Sequence, residues 1–129
     1  MTLRNARILV VLVGLVLPYA ARLPRGLDWL RQYTEVEPAG WLFFGAFNAI
    51  AWLAILGATF LYRRPASVLA PAVAGFGFLA WVHATLDLAS DAQAAVALVF
   101  IPLYALVPIA VGAVVGLVLD RRRRGAQAA

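Results

Sequence analysis

The strongest constraint on the fold of this chain is the spacing of its charges, which leaves four long stretches without Asp, Glu, Lys or Arg. They cover residues 8–21, 38–62, 65–86 and 92–119. A helix needs about 20 apolar residues to cross a hydrocarbon core of about 30 Å, and the last three stretches meet that length. Backbone polar groups in lipid must be paired, and no period-two alternation indicates a barrel, so the stretches predict helices.

Composition also separates this chain from soluble domains. Its 129 residues are 64% hydrophobic and 13% charged, whereas soluble domains are about half apolar and about a quarter charged. The absence of cysteine excludes disulfides, iron–sulfur clusters and thiolate metal sites. The length allows one domain. We therefore predict an all-α integral membrane bundle in which residues 1–129 form a single transmembrane domain.

The bundle is expected to contain four transmembrane helices. We predict them at about residues 6–23, 39–62, 66–88 and 92–119, with a disordered tail at 121–129. The first helix is short and follows basic residues, as the apolar core of a signal peptide does. Cleavage after Ala20 or Ala21 would place Pro18 or Tyr19 at an upstream position that requires a small residue. We therefore expect this helix to be retained, with Arg22 extending to the membrane interface; cleavage is the alternative.

The first connection is the only long one, and residues 25–36 within it predict a short amphipathic helix. Leu27, Leu30 and Tyr33 form a rough apolar stripe beside polar residues. We interpret this segment as a helix in the outer membrane interface, where Trp29 and Trp41 join an aromatic belt. The alternative is a lid over an external cavity.

All eleven basic residues are arginine, and eight of them fall on one side of a four-helix topology. Five of the six acidic residues fall on the other side. Because basic loops stay in the cytoplasm, both termini are predicted to be cytoplasmic. The compact, Arg-only, Ala-rich chain favours a bacterial inner membrane. We interpret six arginines as a cytoplasmic anchor that contacts anionic lipid, rather than as a nucleic-acid site: Arg63, Arg64, Arg121, Arg122, Arg123 and Arg124.

Small residues recur at four-residue spacing along the predicted helices. Gly112 and Gly116 form a GxxxG pair, and Gly45 with Ala49 form a similar pair. Small residues let helix backbones approach closely in lipid. We favour packing within the chain for these pairs, and a homodimer contact is the alternative.

Ionisable residues inside a membrane span indicate a functional site by default. His83, Asp87 and Asp91 are spaced to share one face of the third helix, and Asn48 and Tyr104 add polar groups in the same half of the membrane. Three interpretations compete: a metal or haem site, a protonatable site, and a structural hydrogen bond between His83 and Asp87. We favour the structural bond and expect no metal or cofactor, because one histidine and two carboxylates are a thin ligand set.

The last third of the chain carries a resemblance. Residues 90–110, Ser-Asp-Ala-Gln-Ala-Ala-Val-Ala-Leu-Val-Phe-Ile-Pro-Leu-Tyr-Ala-Leu-Val-Pro-Ile-Ala, resemble a stretch of small uncharacterised four-helix bacterial membrane proteins. The resemblance implies no activity.

Enzymatic chemistry is not expected, because the chain has one histidine, no cysteine and no serine beside an evident base. The leading hypothesis is a non-enzymatic accessory, assembly or interaction subunit. Its expected partners are the lipid bilayer and either another membrane protein or a second copy of the chain. The alternative is a homo-oligomeric transporter or channel for a proton, ion or small solute, with an outward-facing site at His83, Asp87 and Asn48.

Overall fold

The computed structural model describes residues 1–90 and 92–128, with side chains through Arg122. Within these residues all regular structure is helical: α1 Leu3–Arg22, α2 Leu27–Thr34, α3 Pro38–Ala58, α4 Leu69–Thr85 and α5 Ala92–Ala128. Single 3-10 turns at Leu23–Arg25, Thr59–Leu61 and Pro65–Val68 extend three of the helices. Four of the described helical segments are long and apolar enough to cross a membrane. The prediction of an all-helical, multi-pass membrane protein is confirmed at this level.

The four long helices form a ring in which α1 and α5 each pack against both α3 and α4. The hydrogen bonds from Arg7 to Thr59 and from Trp41 to Tyr19 join opposite ends of α1 and α3, so these helices are antiparallel. We call the end that carries Arg7, Arg63 and Arg121 the arginine end. The opposite end, where α2 lies, is called the α2 end.

The bundle exposes many large apolar side chains and buries several polar ones beside its apolar core. Arg22 and Asp120 are both 0% exposed, whereas Val73 is 70% exposed. The other buried polar residues in the described part of the chain are Asn48, Thr59, Ser67 and His83. An apolar exterior of this extent would be unfavourable in water and is favourable in lipid.

Close helix packing depends on two of the predicted small residues. A Cβ added at Gly112 would stand 2.7 Å from the carbonyl oxygen of Ala70, and one at Gly116 would stand 2.5 Å from that of Ser67. Both glycines therefore pack α5 against the start of α4 within one chain.

The second predicted pair behaves differently. Gly45 is exposed, and a Cβ added there would meet no atom within 4 Å. Its neighbour Ala49 is partly buried. The expectation that Gly45 packs within the chain is corrected, because this residue faces an open groove between α1 and α3.

The ends of α4 and α5 are among those that differ from their predicted positions. α4 ends at Thr85 rather than near residue 88, because Leu86 adopts an extended backbone with φ −77° and ψ 110°. α5 continues to Ala128 instead of ending near residue 119 before a disordered tail. The residues after Leu119 are mainly Arg, Ala and Gln, which have high helix propensity, and no proline stops the helix.

At the arginine end, the buried carboxylate of Asp120 joins α5 to the connection that precedes α4. Its Oδ1 accepts hydrogen bonds from the backbone N–H of Arg63 at 3.3 Å, the N–H of Arg64 at 3.1 Å and the Ser67 hydroxyl at 3.0 Å. Free N–H groups and a partial positive charge collect at the start of a helix, so an aspartate from a neighbouring helix acts there as a cap. Tyr62 adds a second link by donating to the Ala113 carbonyl at 3.0 Å.

The packing predicts opposite effects for two glycine substitutions. Gly112→Ala should lower the free energy of unfolding by about 1–3 kcal/mol, because its Cβ overlaps backbone atoms that cannot easily move. Gly77→Ala, on the open side of α4, should be neutral or slightly stabilising, because alanine favours a helix more than glycine does. Thermal and denaturant unfolding in one detergent would compare the two variants. Equal stability would contradict the packing described for Gly112.

Candidate functional site

The α2 end holds a buried polar cluster that we call the Arg22 cluster, formed by Arg22, Trp29, Tyr33, His83 and Leu86. α1, α2 and α4 each contribute to it. Its centre is covered by α2, since Arg22 is 0% exposed, His83 is 3% exposed and Tyr33 is 4% exposed.

Arg22 links α1 to α2 and to the residue that follows α4. Its Nη1 donates to the Trp29 carbonyl at 3.4 Å, and its Nη2 donates to the Leu86 carbonyl at 3.2 Å. The guanidinium carbon also lies 5.5 Å from the Tyr33 ring centroid. Carbonyls at helix ends and aromatic faces both stabilise a cation. The sequence-based expectation that Arg22 extends to the interface is therefore wrong: the side chain turns inward, where those carbonyls are within reach.

Tyr33 occupies the middle of the aromatic contacts. Its ring meets Tyr19 edge-on at 5.5 Å, His83 edge-on at 5.4 Å and Phe44 in a stacked arrangement at 6.4 Å. Such pairs add to the hydrophobic gain of burying the ring. Burial raises the pKa of the Tyr33 phenol to about 12; the nearby Tyr19 acts in the same direction, and Arg22 opposes it.

The predicted pairing of His83 with Asp87 is not formed. Because α4 ends at Thr85, Asp87 lies in a turn, and its Oδ1 accepts a hydrogen bond from the Ala89 N–H at 3.0 Å. The Nδ1 of His83 has no hydrogen-bond partner among the described residues. The prediction of one helix face carrying both residues is corrected, and Asp91 lies outside the described residues.

The reason for the early end of α4 lies in side chains from α1 and α2. Arg22 binds the Leu86 carbonyl, the Trp29 indole donates to the His83 carbonyl at 3.4 Å, and Gln32 accepts from the Leu88 N–H at 3.1 Å. These bonds use backbone groups that a longer helix would pair internally.

Asn48 lies outside the Arg22 cluster, between α1 and α3. Its amide Nδ2 donates to the Gly14 carbonyl at 3.1 Å, and its Oδ1 has no hydrogen-bond partner among the described residues. Asn48 also lines a groove of about 340 Å³ on the outside of the α1–α3 pair. Tyr104, the remaining predicted site residue, is 64% exposed on the outside of α5. The residues of the predicted polar site therefore lie apart: His83 in the Arg22 cluster, Asn48 between α1 and α3, and Tyr104 on the outside of α5.

The Arg22 cluster suits helix packing better than catalysis. Within the described part of the chain, no three His, Cys, Asp or Glu side chains are placed to hold a metal ion. His83 is the one histidine of the cluster, and α2 covers it. Comparison with known protein families, curated proteins and solved structures finds no match to this chain.

Sequence reasoning identified His83 and missed Arg22 and Asp120 as buried residues. Both charged residues stand at the ends of charge-free stretches, where an interfacial position is the ordinary expectation. Arg7 and Asp91 are equally close in sequence to the same two apolar stretches, so position in the sequence does not single out Arg22 and Asp120.

Removal of the Arg22 guanidinium should weaken the contact of α2 with the bundle. In Arg22→Met, the Trp29 and Leu86 carbonyls lose their partner, so we expect the free energy of unfolding to fall by about 1–3 kcal/mol. Arg4→Met, at an exposed position at the opposite end of α1, is the control and should change little. Hydrogen exchange of α2 would locate the effect, and unchanged protection of Leu27–Thr34 would contradict this role.

The raised pKa of Tyr33 predicts a loss of stability in alkali. The phenol has a pKa of about 12 in the folded state and about 10 when unfolded. Its contribution to the free energy of unfolding is therefore constant below pH 10 and falls as the pH rises toward 12. Between pH 9 and 11, the free energy of unfolding of the wild type should therefore fall by about 1 kcal/mol more than that of Tyr33→Phe, which cannot ionise at this position. Unfolding of both proteins at the two pH values tests this, and parallel losses would contradict it.

Proposed function

We propose that this chain is a non-enzymatic accessory subunit that packs against another protein in a bacterial inner membrane. The observation that carries the proposal is the closure of the Arg22 cluster: its polar side chains bind the chain's own backbone and lie under α2. Such an interior serves packing, which leaves the apolar exterior as the surface for lipid and a partner.

The distribution of charge supports an orientation with both termini in the cytoplasm. Arg4, Arg7, Arg63 and Arg121 belong to the arginine end, and positive residues favour the cytoplasmic side. Exposed Arg side chains at that end fit the proposed anchor on anionic lipid headgroups.

We place α2 at the outer membrane interface. Apart from Leu27, its exposed residues are polar, and Arg31 bridges Asp28 at 3.2 Å and Glu35 at 3.6 Å there. Its opposite face buries Tyr33 in the bundle. An interfacial helix has these two faces, and in this protein the apolar one docks on the chain itself.

A transporter is the less favoured function, since a path through one protomer needs polar groups or water in both halves of the bundle. His83 and Asn48 are both largely buried, and each has a ring or backbone contact with the chain itself. The buried polar side chains at the arginine end, Thr59, Ser67 and Asp120, bond the chain's own groups. These contacts favour packing over conduction.

Native mass spectrometry of the protein, extracted gently from its own membrane, tests the proposal. We expect a complex that contains this chain and a different membrane protein. His83→Ala should leave that complex intact, whereas a transporter using His83 should lose flux while its fold and assembly persist. A complex made only of this chain, together with loss of flux in His83→Ala, would overturn the proposal.

A further inference from the structure

The groove beside Asn48 and the exposed Tyr104 are complementary features on different faces of the molecule. The groove lies between α1 and α3, and its wall includes Trp41, Gly45 and Trp52. Asn48 is only 7% exposed, and its unpartnered Oδ1 is a hydrogen-bond acceptor. A buried amide oxygen without a donor is costly in an apolar environment, so the groove favours an occupant that brings a donor.

Tyr104 presents such a donor in the middle of a membrane-spanning helix. It is 64% exposed and has no hydrogen bond to the described residues. Tyr104 lies twelve residues from the start of α5, about 18 Å along the helix, which is too deep for its hydroxyl to reach the interface. A phenol hydroxyl facing hydrocarbon lacks a partner, and a polar contact with another protein would supply one.

The two groups lie at similar depths. The side chains of Ile55 on α3 and Ile109 on α5 both approach Gly75, which sets a common level for the two helices. From that level toward the α2 end, Asn48 is seven residues away, about 10.5 Å, and Tyr104 is five residues away, about 7.5 Å. The difference of about 3 Å is within the reach of a tyrosine side chain.

We propose that a second copy of this chain occupies the groove, with its Tyr104 ring beside Asn48 and its hydroxyl donating to the Asn48 Oδ1. A cavity of about 340 Å³ accommodates the ring. Less than 1 Å² of the acceptor oxygen is exposed, so docking includes a small rotation of the amide or of a groove side chain. A lipid acyl chain is disfavoured as the occupant, because it carries no donor at this depth.

This contact joins two different surfaces, so it is heterologous. After two copies join, one copy still offers a free Tyr104 and the other a free groove, so the assembly closes as a ring or extends as a row. The inference goes beyond the proposed function, since a different partner protein can bind elsewhere on the exterior. Failure to find that partner would leave this contact unaffected.

Cysteine cross-linking in membranes tests the contact directly, because the chain has no cysteine of its own. Phe100 is nine residues from Ile109 on α5, and Ala46 is nine residues from Ile55 on α3, so the two residues lie at the same depth. Phe100 belongs to the surface that carries Tyr104, and Ala46 lines the groove. Full-length Phe100→Cys mixed with full-length Ala46→Cys should give a cross-linked dimer on oxidation, and neither variant alone should. As a control, Val73→Cys, which is exposed on α4, replaces one of the two variants. This mixture should give no cross-linked dimer.

Substitutions then test the groove and the hydroxyl separately, by energy transfer between labelled copies in liposomes. Tyr104→Phe keeps the ring and should weaken the association constant by about three- to twenty-fold. Gly45→Leu should abolish association by filling the groove, whereas Gly57→Leu, at an equally open position on α3, should not.

Several results would overturn the proposal. They are a mixed sample without cross-links, equal cross-linking in the single variants, unchanged association of Tyr104→Phe, or a monomer with a tightly bound lipid that Gly45→Leu releases. The last result would identify a lipid as the occupant.

Discussion

The hydrogen bonds of the Arg22 guanidinium determine the form of the α2 end. Arg22 stands at the end of α1, and the two carbonyls that it binds belong to α2 and to the residue after α4. Among the described residues no carboxylate forms an ion pair with it, so backbone dipoles and aromatic faces supply its stabilisation. The position of α2, the burial of Tyr33 and the early end of α4 all depend on this contact.

Lipid as the solvent explains why a small chain buries so many polar groups. In water, an arginine or aspartate gains by remaining hydrated, and helices associate by burying apolar surface. In hydrocarbon, apolar side chains gain little by moving inward, whereas polar groups gain by finding one another. Close backbone packing at Gly112 and Gly116, together with buried hydrogen bonds at both ends, therefore holds the bundle.

The sequence predicted the features of this fold that depend on local composition. The four apolar helices and the short helix α2 follow from charge-free length and amphipathic spacing, and all of them are present. The features that depend on neighbours were not predictable in this way. Groups far away in the sequence decide whether Arg22 turns inward, whether Gly45 meets another helix and whether α4 continues to Asp87. The candidate site was consequently predicted as one cluster, and the structure separates His83, Asn48 and Tyr104.

The two buried charges act on the same helix, and their signs match its dipole. Asp120 accepts from the N–H groups of Arg63 and Arg64, just before the turn that begins α4, and Arg22 donates to the Leu86 carbonyl at its other end. A helix carries partial positive charge at its start and partial negative charge at its end, so an anion and a cation are each favourable where they stand. α5 and α1 thus supply the caps that the sequence of α4 lacks. A loss of function on substitution of Arg22 or Asp120 would therefore indicate, in the first place, that α4 is displaced.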